Sequence, residues 1–243
     1  MKMTKKHVTI IAAISLLFLL QSSLLAQNFG INLLAANPQN EFSKNVKNIG
    51  FGVGMEGIYY FNNGSIPFGV GLNIGFINYG NENENVPLST TLPGVTVNLS
   101  RTNNLANFHL LFQLTTNGKK MRPYLDLLFG TNYLFTESKV TDENKGTDIA
   151  SSQNSSDYAW SYGIGGGFMI KVYEPGQDDV SDLTNLYLDF KVRYLRGTEA
   201  KYLTEGSIIG HPNGTVTLLP SISKTDLLQF QIGVMAQINS LTF

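Results

Sequence analysis

The sequence predicts an all-β fold: an antiparallel, up-and-down transmembrane β-barrel of eight strands. Three observations carry that expectation. Eight segments repeat apolar residues at every second position, the links between them alternate long and short, and the amino-terminal stretch is built like an export signal. A helix cannot use period two, which scatters apolar groups around its axis, whereas a strand gathers them on one face.

The export signal comes first. Lys2, Lys5 and Lys6 precede an apolar run from Val8 to Leu20, too short for a comfortable helical span. Gln21 to Ser23 turn polar, and Leu24-Leu25-Ala26 places a small residue before Gln27. That order is a secretory signal peptide over residues 1–26, with cleavage expected after Ala26 and a single barrel domain over 27–243. With no Cys in the chain, a lipoprotein anchor at the cleavage point, disulfides, thiolate metal sites and Cys nucleophiles are excluded. Taking the three signal lysines from the 17 Lys+Arg leaves 14 against 18 Asp+Glu, a net charge of −4. Such mild acidity argues against a nucleic-acid partner. No second long apolar run follows, so helical spans are not expected.

The strands follow in order. Phe29, Ile31, Leu33 and Ala35 alternate with Asn28, Gly30 and Asn32; Ile49, Phe51, Val53, Met55, Tyr59 and Phe61 alternate with Gly50, Gly52, Gly54, Glu56 and Tyr60. Phe68, Val70, Leu72, Ile74 and Phe76 make the third apolar face, and Ala106, Phe108, Leu110, Phe112 and Leu114 the fourth. Leu125, Leu127, Phe129, Tyr133 and Phe135 oppose Arg122, Asp126, Gly130 and Asn132; Tyr158, Trp160, Tyr162, Ile164, Phe168 and Ile170 oppose Gly163, Gly165, Gly167 and Lys171. Leu186, Leu188, Phe190, Val192 and Tyr194 oppose Asp189, Lys191 and Arg193, and Leu228 to Ile238 close the series against Gln229, Gln231, Gly233 and Gln237.

The links after the second, fourth and sixth strands are short: Asn62 to Ser65, Asn117 to Lys120, and Glu174 to Leu183. Those after the odd strands are long and polar: Asn37 to Asn48, Gly80 to Asn104, Glu137 to Asp157, and Gly197 to Lys224. Strict alternation means that the two ends of the sheet meet different environments, as short periplasmic turns and long extracellular loops do in membrane barrels. The termini then lie in the periplasm.

Alternation is silent on which face looks inward, since a soluble lipocalin-like barrel alternates as well. The export signal and the link asymmetry favour apolar residues outside. So do the aromatics at the strand ends, with Tyr59, Phe61 and Phe68 at one end and Phe76, Tyr133, Phe135, Tyr158, Trp160 and Tyr194 at the other. Glycines crowd the polar face (Gly50, Gly52, Gly54, Gly69, Gly71, Gly75, Gly163, Gly165, Gly167), where a narrow eight-stranded barrel has little room.

This pattern resembles the small eight-stranded outer-membrane barrels of Gram-negative bacteria, the OmpA and OmpX types. The resemblance is architectural and spans residues 27–243, without the peptidoglycan-binding domain that follows the barrel in the OmpA type. It implies a last-strand assembly signal, which Gln231, Gly233, Ala236 and Ile238 match with Ala236 where an aromatic is usual. Leu241 and the final Phe243 have the opposite parity to Ile238. The resemblance also implies outer-membrane lipid and the barrel-assembly machinery as partners.

Seven inward charges are the candidate site: Glu56, Arg122, Asp126, Lys171, Asp189, Lys191 and Arg193. Counting from the short turns puts Glu56, Asp126, Lys171 and Asp189 at similar depth. Three acids and four bases nearly cancel, as an internal ion-pair network closing the lumen would, since unpaired buried charge costs several kcal/mol. His109 is inward with no second strand histidine, so it reads as a satisfied lumen residue rather than a metal ligand. Gly52 to Gly57 match GxGxxG literally, but the strand continues through Ile58-Tyr59-Tyr60-Phe61 where a nucleotide site needs a helix. Asp178, Asp179 and Asp182 make a solvated acidic turn without a full Ca²⁺ loop. No cofactor and no metal are expected.

The expected function is a non-enzymatic barrel with a side-chain-plugged lumen, displaying four long loops for envelope structure or for an unidentified surface ligand or protein partner. Tyr202, Leu203, Ile208, Ile209, Leu218 and Leu219 in the last long link are the candidate binding patch, or else added strand pieces above the membrane. A narrow channel is the alternative. A lipid-modifying enzyme, using His211 with Ser207, Ser221 or Ser223, stands behind it.

Overall fold

Each apolar-alternating segment is a strand, and the strands close on themselves. The computed structural model describes residues 27–61, 67–89, 92–142, 147–176, 183–210 and 216–238, of which 86–89, 92–95 and 210 are described by backbone alone. β1 Asn28–Pro38, β2 Gly50–Phe61, β3 Phe68–Ser89, β4 Leu92–Thr115, β5 Met121–Asp142, β6 Asp148–Tyr173 and β7 Leu183–Gly197 pair in sequence order. β12 Leu227–Ile238 then joins β7 to β1 and closes an antiparallel ring of eight. Closure gives each barrel strand two partners at membrane depth, so no backbone N–H or C=O faces lipid unpaired. The predicted signal peptide, the Asn62 to Ser65 turn, Asp178, Asp179, Asp182, His211, Leu241 and Phe243 lie outside the described residues.

The two faces are inverted relative to a soluble barrel. Ile31, Phe51, Leu125 and Trp160 point outward at 63–70% exposure, whereas inward Asn32, Glu56, Asn107, Asp126, Asn132 and Arg193 are at most 2% exposed. Water would not tolerate that continuous outer band, and a lipid bilayer requires it. Aromatic rings collect at both ends of the band. Tyr59, Phe61, Phe68 and Phe112 contact one another in series near the short turns. Phe76, Phe135, Tyr133 and Tyr158 do so at the other end, where Phe129 stacks on Trp160 at 5.7 Å. From Phe68 to Phe76 a strand tilted about 40° rises roughly 20 Å, most of the height of an outer-membrane apolar belt.

Two inward glycines make room for the largest lumen groups. A Cβ on Gly165 would lie 2.5 Å from Arg193 Cγ, and one on Gly30 would lie 2.9 Å from Met235 Cε and 3.1 Å from Glu56 Cγ. Separations under 3.0 Å are shorter than real Cβ contacts, so a side chain at Gly165 would displace Arg193 and one at Gly30 would displace Met235 and crowd Glu56.

The long-link end differs from expectation. Gly80 to Asn104 and Glu137 to Asp157 are not polar loops: β3 and β4 run on as a paired hairpin to Ser89 and Leu92, and β5 and β6 to Asp142 and Asp148. β4 stays paired with β5 as far as Val97 and Asp142. Strands β3–β6 therefore rise above the ring as a four-stranded blade, while β2 ends at Gly50 and β7 at Gly197. Beyond the bilayer both faces of a strand can be polar, so the apolar alternation that marks the strands below disappears while the ladder continues.

Asn37 to Asn48 carries a short helix, α1 Phe42–Asn45. Gly197 to Lys224 forms two small sheets, β8 Glu199–Tyr202 with β11 Ser221–Lys224 and β9 Ile208–Gly210 with β10 Val216–Leu218. Here the inward face becomes apolar. Leu34, Ala36, Ile77, Leu105, Leu134, Ala159, Leu195 and Leu227 point in, and Phe42 is buried edge-on against Tyr79 and Tyr202, with ring centroids 5.9 and 5.1 Å apart.

Candidate functional site

Three short-turn-to-mid-barrel strands supply acids to the lumen and one supplies bases. Period two brings Asp189, Lys191 and Arg193 of β7 onto the inner face, opposite Glu56 of β2 and Asp126 of β5 across a narrow ring. Arg193 bridges the two carboxylates: Nη2 lies 3.0 Å from Glu56 Oε2 and 2.6 Å from Asp126 Oδ2, and Nε donates to Asp126 Oδ2 at 2.9 Å. Lys191 Nζ pairs with Glu56 and lies 2.8 Å from Asp189 Oδ2. All five side chains are essentially buried. Neutral donors complete the acids. Gln113 Nε2 donates to Asp126 Oδ1 at 2.8 Å and in turn accepts the Tyr60 hydroxyl, while the Tyr124 hydroxyl donates to Asp189 Oδ1 at 2.5 Å.

Arg122 and Lys171, expected in this network, stand apart from it. Arg122 Nε donates to Gly118 O at 3.3 Å, and its guanidinium lies 5.0 Å from the centre of the Tyr187 ring. Lys171 pairs with Glu174 at 3.0 Å, near the short-turn end. Parity assigns both to the inner face, but counting from the short turns, which sets Lys171 level with Glu56, Asp126 and Asp189, ignores the stagger between strands that fixes depth. Lys171 lies opposite Tyr187, nearer the short turn than Asp189. The cluster therefore holds three acids and two bases. Tyr124 and Gln113 are members that the charge-based reading omits; the signal for both is their inward parity within two residues of, or directly opposite, Asp126.

Around the charges, amide and imidazole groups fill the barrel, with Gln229 and Gln231 directly opposite Arg193 and Lys191. His109 Nε2 lies 2.9 Å from Ser161 Oγ, both buried, and Gln231 Nε2 donates to Gln229 Oε1 at 2.9 Å. Among the described residues no group of His, Cys, Asp or Glu converges to hold a metal ion.

The apolar patch expected in the last link divides in two. Tyr202, Leu203 and Ile208 face inward and are buried, with the Tyr202 hydroxyl 2.7 Å from Ser223 Oγ and accepting Asn45 Nδ2 at 2.9 Å. Only Ile209, Leu218 and Leu219 remain exposed. Apolar groups in a water-bathed link follow the soluble rule and bury themselves, so half of the patch is core. Ser223 is held by Tyr202, and Ser207 Oγ donates to Thr204 O at 2.5 Å and accepts Thr204 N–H at 2.9 Å.

The blade has two edges of different character. On β3, the Asn81 N–H donates to Glu205 Oε1 at 3.3 Å, and Glu82 accepts the Gly206 N–H. On β6, pairing with β7 starts at Ser161 and Gly197, Thr198 N–H reaches Trp160 O at 2.8 Å, and Lys201 N–H reaches Asp157 Oδ2 at 2.8 Å. Over residues 149–156 no described strand pairs with β6 on the side away from β5.

A closed ring, an apolar exterior with aromatic ends and a charged, hydrogen-bonded interior leave one reading of the architecture. The fold is that of a small outer-membrane β-barrel. No protein-family model matches the chain, and no curated protein matches it in sequence. Among solved structures it is similar to Ail, the attachment invasion locus protein of Yersinia pestis, crystallised in complex with the heparin analogue sucrose octasulfate; identity is 12% over 86% of this chain and 95% of that one, with a TM-score of 0.42. It is also similar to Neisserial surface protein A, at 14% identity over 87% of this chain and 96% of that one, with a TM-score of 0.36. The barrel assignment rests on the closed ladder and the inverted faces.

Proposed function

We propose that this is a non-enzymatic outer-membrane protein whose plugged barrel anchors an extracellular β-blade that binds a partner through the free edge of β6. Residues 1–26 direct export, the barrel-assembly machinery inserts residues 27–243, and the termini and short turns remain in the periplasm. The observation that carries this reading is the outer edge of β6 over 149–156, which no described strand pairs on the side away from β5 and which follows roughly 25 Å of strand beyond the aromatic row. A strand edge offers a row of N–H and C=O groups to any extended segment, and proteins that avoid such pairing protect their edges with Lys, Pro or a covering loop. This edge reads Ile149-Ala150-Ser151-Ser152-Gln153-Asn154-Ser155-Ser156, with neither Lys nor Pro, and register shifts against β5 at Ile149 and Asn154 leave Ala150 to Gln153 as its regular part. The lumen, with Arg193 and Lys191 tied to three carboxylates, supports an anchor rather than a conduit.

The test is co-purification of the folded barrel from its native membrane, comparing the wild type with Ser151→Pro and Ser152→Pro. Successive N–H groups face opposite sides of a strand, so one of the two prolines removes an edge donor without breaking the β5 ladder. Recovery of the bound partner is lost in that variant and kept in a barrel altered only at Leu218. Equal recovery from both proline variants sinks the edge-binding reading.

A further inference from the structure

On the lipid-facing side of β6 and β7, a groove runs down from the blade end. At its top is a polar cavity of about 390 Å³ lined by Asn40, Glu41, Tyr162, Arg196, Thr198 and Lys224, together with Gly197 and Asp226. A second cavity of about 460 Å³ shares Tyr162 and Arg196 and continues past Ile164 and Tyr194. A third, of about 560 Å³ and almost wholly apolar, begins on the same two strands at Gly166, Phe168, Phe190 and Val192 and turns across the wall past Phe230, Ile232 and Leu33. The register sets the three along one row of outward positions. Outward neighbours across the β6–β7 pair are Tyr162 with Arg196, Ile164 with Tyr194, Gly166 with Val192, and Phe168 with Phe190. Gly166, flanked by Leu125 and Val192 in its row, supplies no side chain, which opens the groove at mid-depth. Phe168 and Phe190, stacked at 5.3 Å, close it. From Arg196 to Phe190 the groove follows about 20 Å of strand.

Its head is charged and its body is not. Among the described residues the Arg196 guanidinium makes no salt bridge or hydrogen bond, although it stands exposed in the aromatic row beside Tyr162. The two carboxylates lining the cavity are already engaged. Asp226 accepts the Gly197 N–H at 3.1 Å and Asn40 Nδ2 at 2.8 Å, and Glu41 accepts the Lys224 N–H at 3.3 Å and lies 4.0 Å from Lys224 Nζ. An unpaired guanidinium at the interface, directly above an apolar furrow, is complementary to an amphiphile with an anionic head.

We propose that this groove binds one phosphate-bearing lipid of the surrounding bilayer, its phosphate on Arg196 and one acyl chain laid over Gly166. The site rests on the placement of the apolar belt in the membrane, and it is separate from the β6 edge. The barrel, folded in neutral detergent, is titrated with phosphatidic acid, with the chain's one Trp, Trp160, as reporter two positions from Tyr162 on the same face. Native mass spectrometry counts the lipids retained. Phosphatidic acid binds at one per barrel and phosphatidylcholine at least tenfold more weakly. Arg196→Gln weakens phosphatidic acid binding about tenfold, and Arg122→Gln, at the opposite end, leaves it unchanged. Gly166→Leu removes the dependence on chain length; Val192→Phe does the same without touching the glycine, should the first variant fold poorly. Equal binding of the two lipids, or undiminished binding by Arg196→Gln, overturns the proposal. Competition by millimolar inorganic phosphate overturns it in favour of a free-anion site. Failure to insert into phosphatidylcholine vesicles overturns the membrane placement itself, which the other arms leave intact.

Discussion

The same strands bury different mixtures of residue at their two ends. Through the membrane belt the inner face carries Glu56, Asp126, Asp189, Lys191 and Arg193, and the outer face carries Ile31, Leu72, Phe108 and Ile164. At the blade end the inner face turns to Leu34, Ile77, Leu105, Leu134 and Leu195, joined by Phe42 from α1 and Tyr202 from β8. The change falls within single strands without a change of parity: in β1 it lies between Asn32 and Leu34, and in β4 between Asn107 and Leu105. What differs is the solvent outside. Lipid takes the apolar side chains outward and leaves the interior to be filled by polar groups that must satisfy one another, whereas water returns the apolar groups to the core. The lower half therefore adds charge pairing to inward apolar groups such as Ile58, Leu111, Met169 and Met235, whereas the upper half rests mainly on hydrophobic packing, and the two should break differently.

The largest effect is expected in the lower half. Arg193→Met leaves Glu56 and Asp126 buried without their shared partner, a loss of about 3–5 kcal/mol. Urea unfolding from phosphatidylcholine vesicles, followed by Trp160 emission, should show the midpoint fall for the single variant. It should recover much of the way when Glu56→Gln and Asp126→Asn are added, because a neutral, hydrogen-bonding lumen no longer needs the cation. A single variant as stable as the wild type would erase the distinction between the halves.

A smaller and more local effect is expected above. Phe42→Ala removes an aromatic side chain packed edge-on against Tyr79 and Tyr202. Large core truncations of this kind cost about 3–5 kcal/mol, but here the loss falls on the cap rather than on the ring. Limited proteolysis should cut within 199–224 faster in the variant, while the compact gel mobility of the unheated barrel stays unchanged. Loss of that mobility would mean that cap and ring form one cooperative unit.

The sequence shows the ring well because one face of each strand meets lipid over its whole span, which writes period two into residues such as Phe29, Ile31 and Leu33. The blade is not legible. Ser151, Ser152 and Asn154 sit in a paired strand with water on its exposed side, so nothing in their polarity marks it. Phe42 is a lone apolar residue between Glu41 and Ser43, and a single position has no period. The charged site was half legible: parity sorted all seven charges to the inner face, but depth, which separates Arg122 and Lys171 from Arg193, depends on the stagger of neighbouring strands. For Tyr202 and Leu203 the sequence leaves a binding patch and added strand pieces both open; the small sheets match the second, and both residues are buried because an apolar residue above the membrane belongs inside.

The central claim is that the charge cluster seals the lower barrel and leaves activity to the blade and the outer wall. Planar-bilayer recording from the folded wild-type barrel tests it most directly. No resolved unitary current steps are expected in symmetric KCl, with steps emerging only when Arg193 and Lys191 are both replaced by alanine. Stable unitary conductance in the wild type would contradict it.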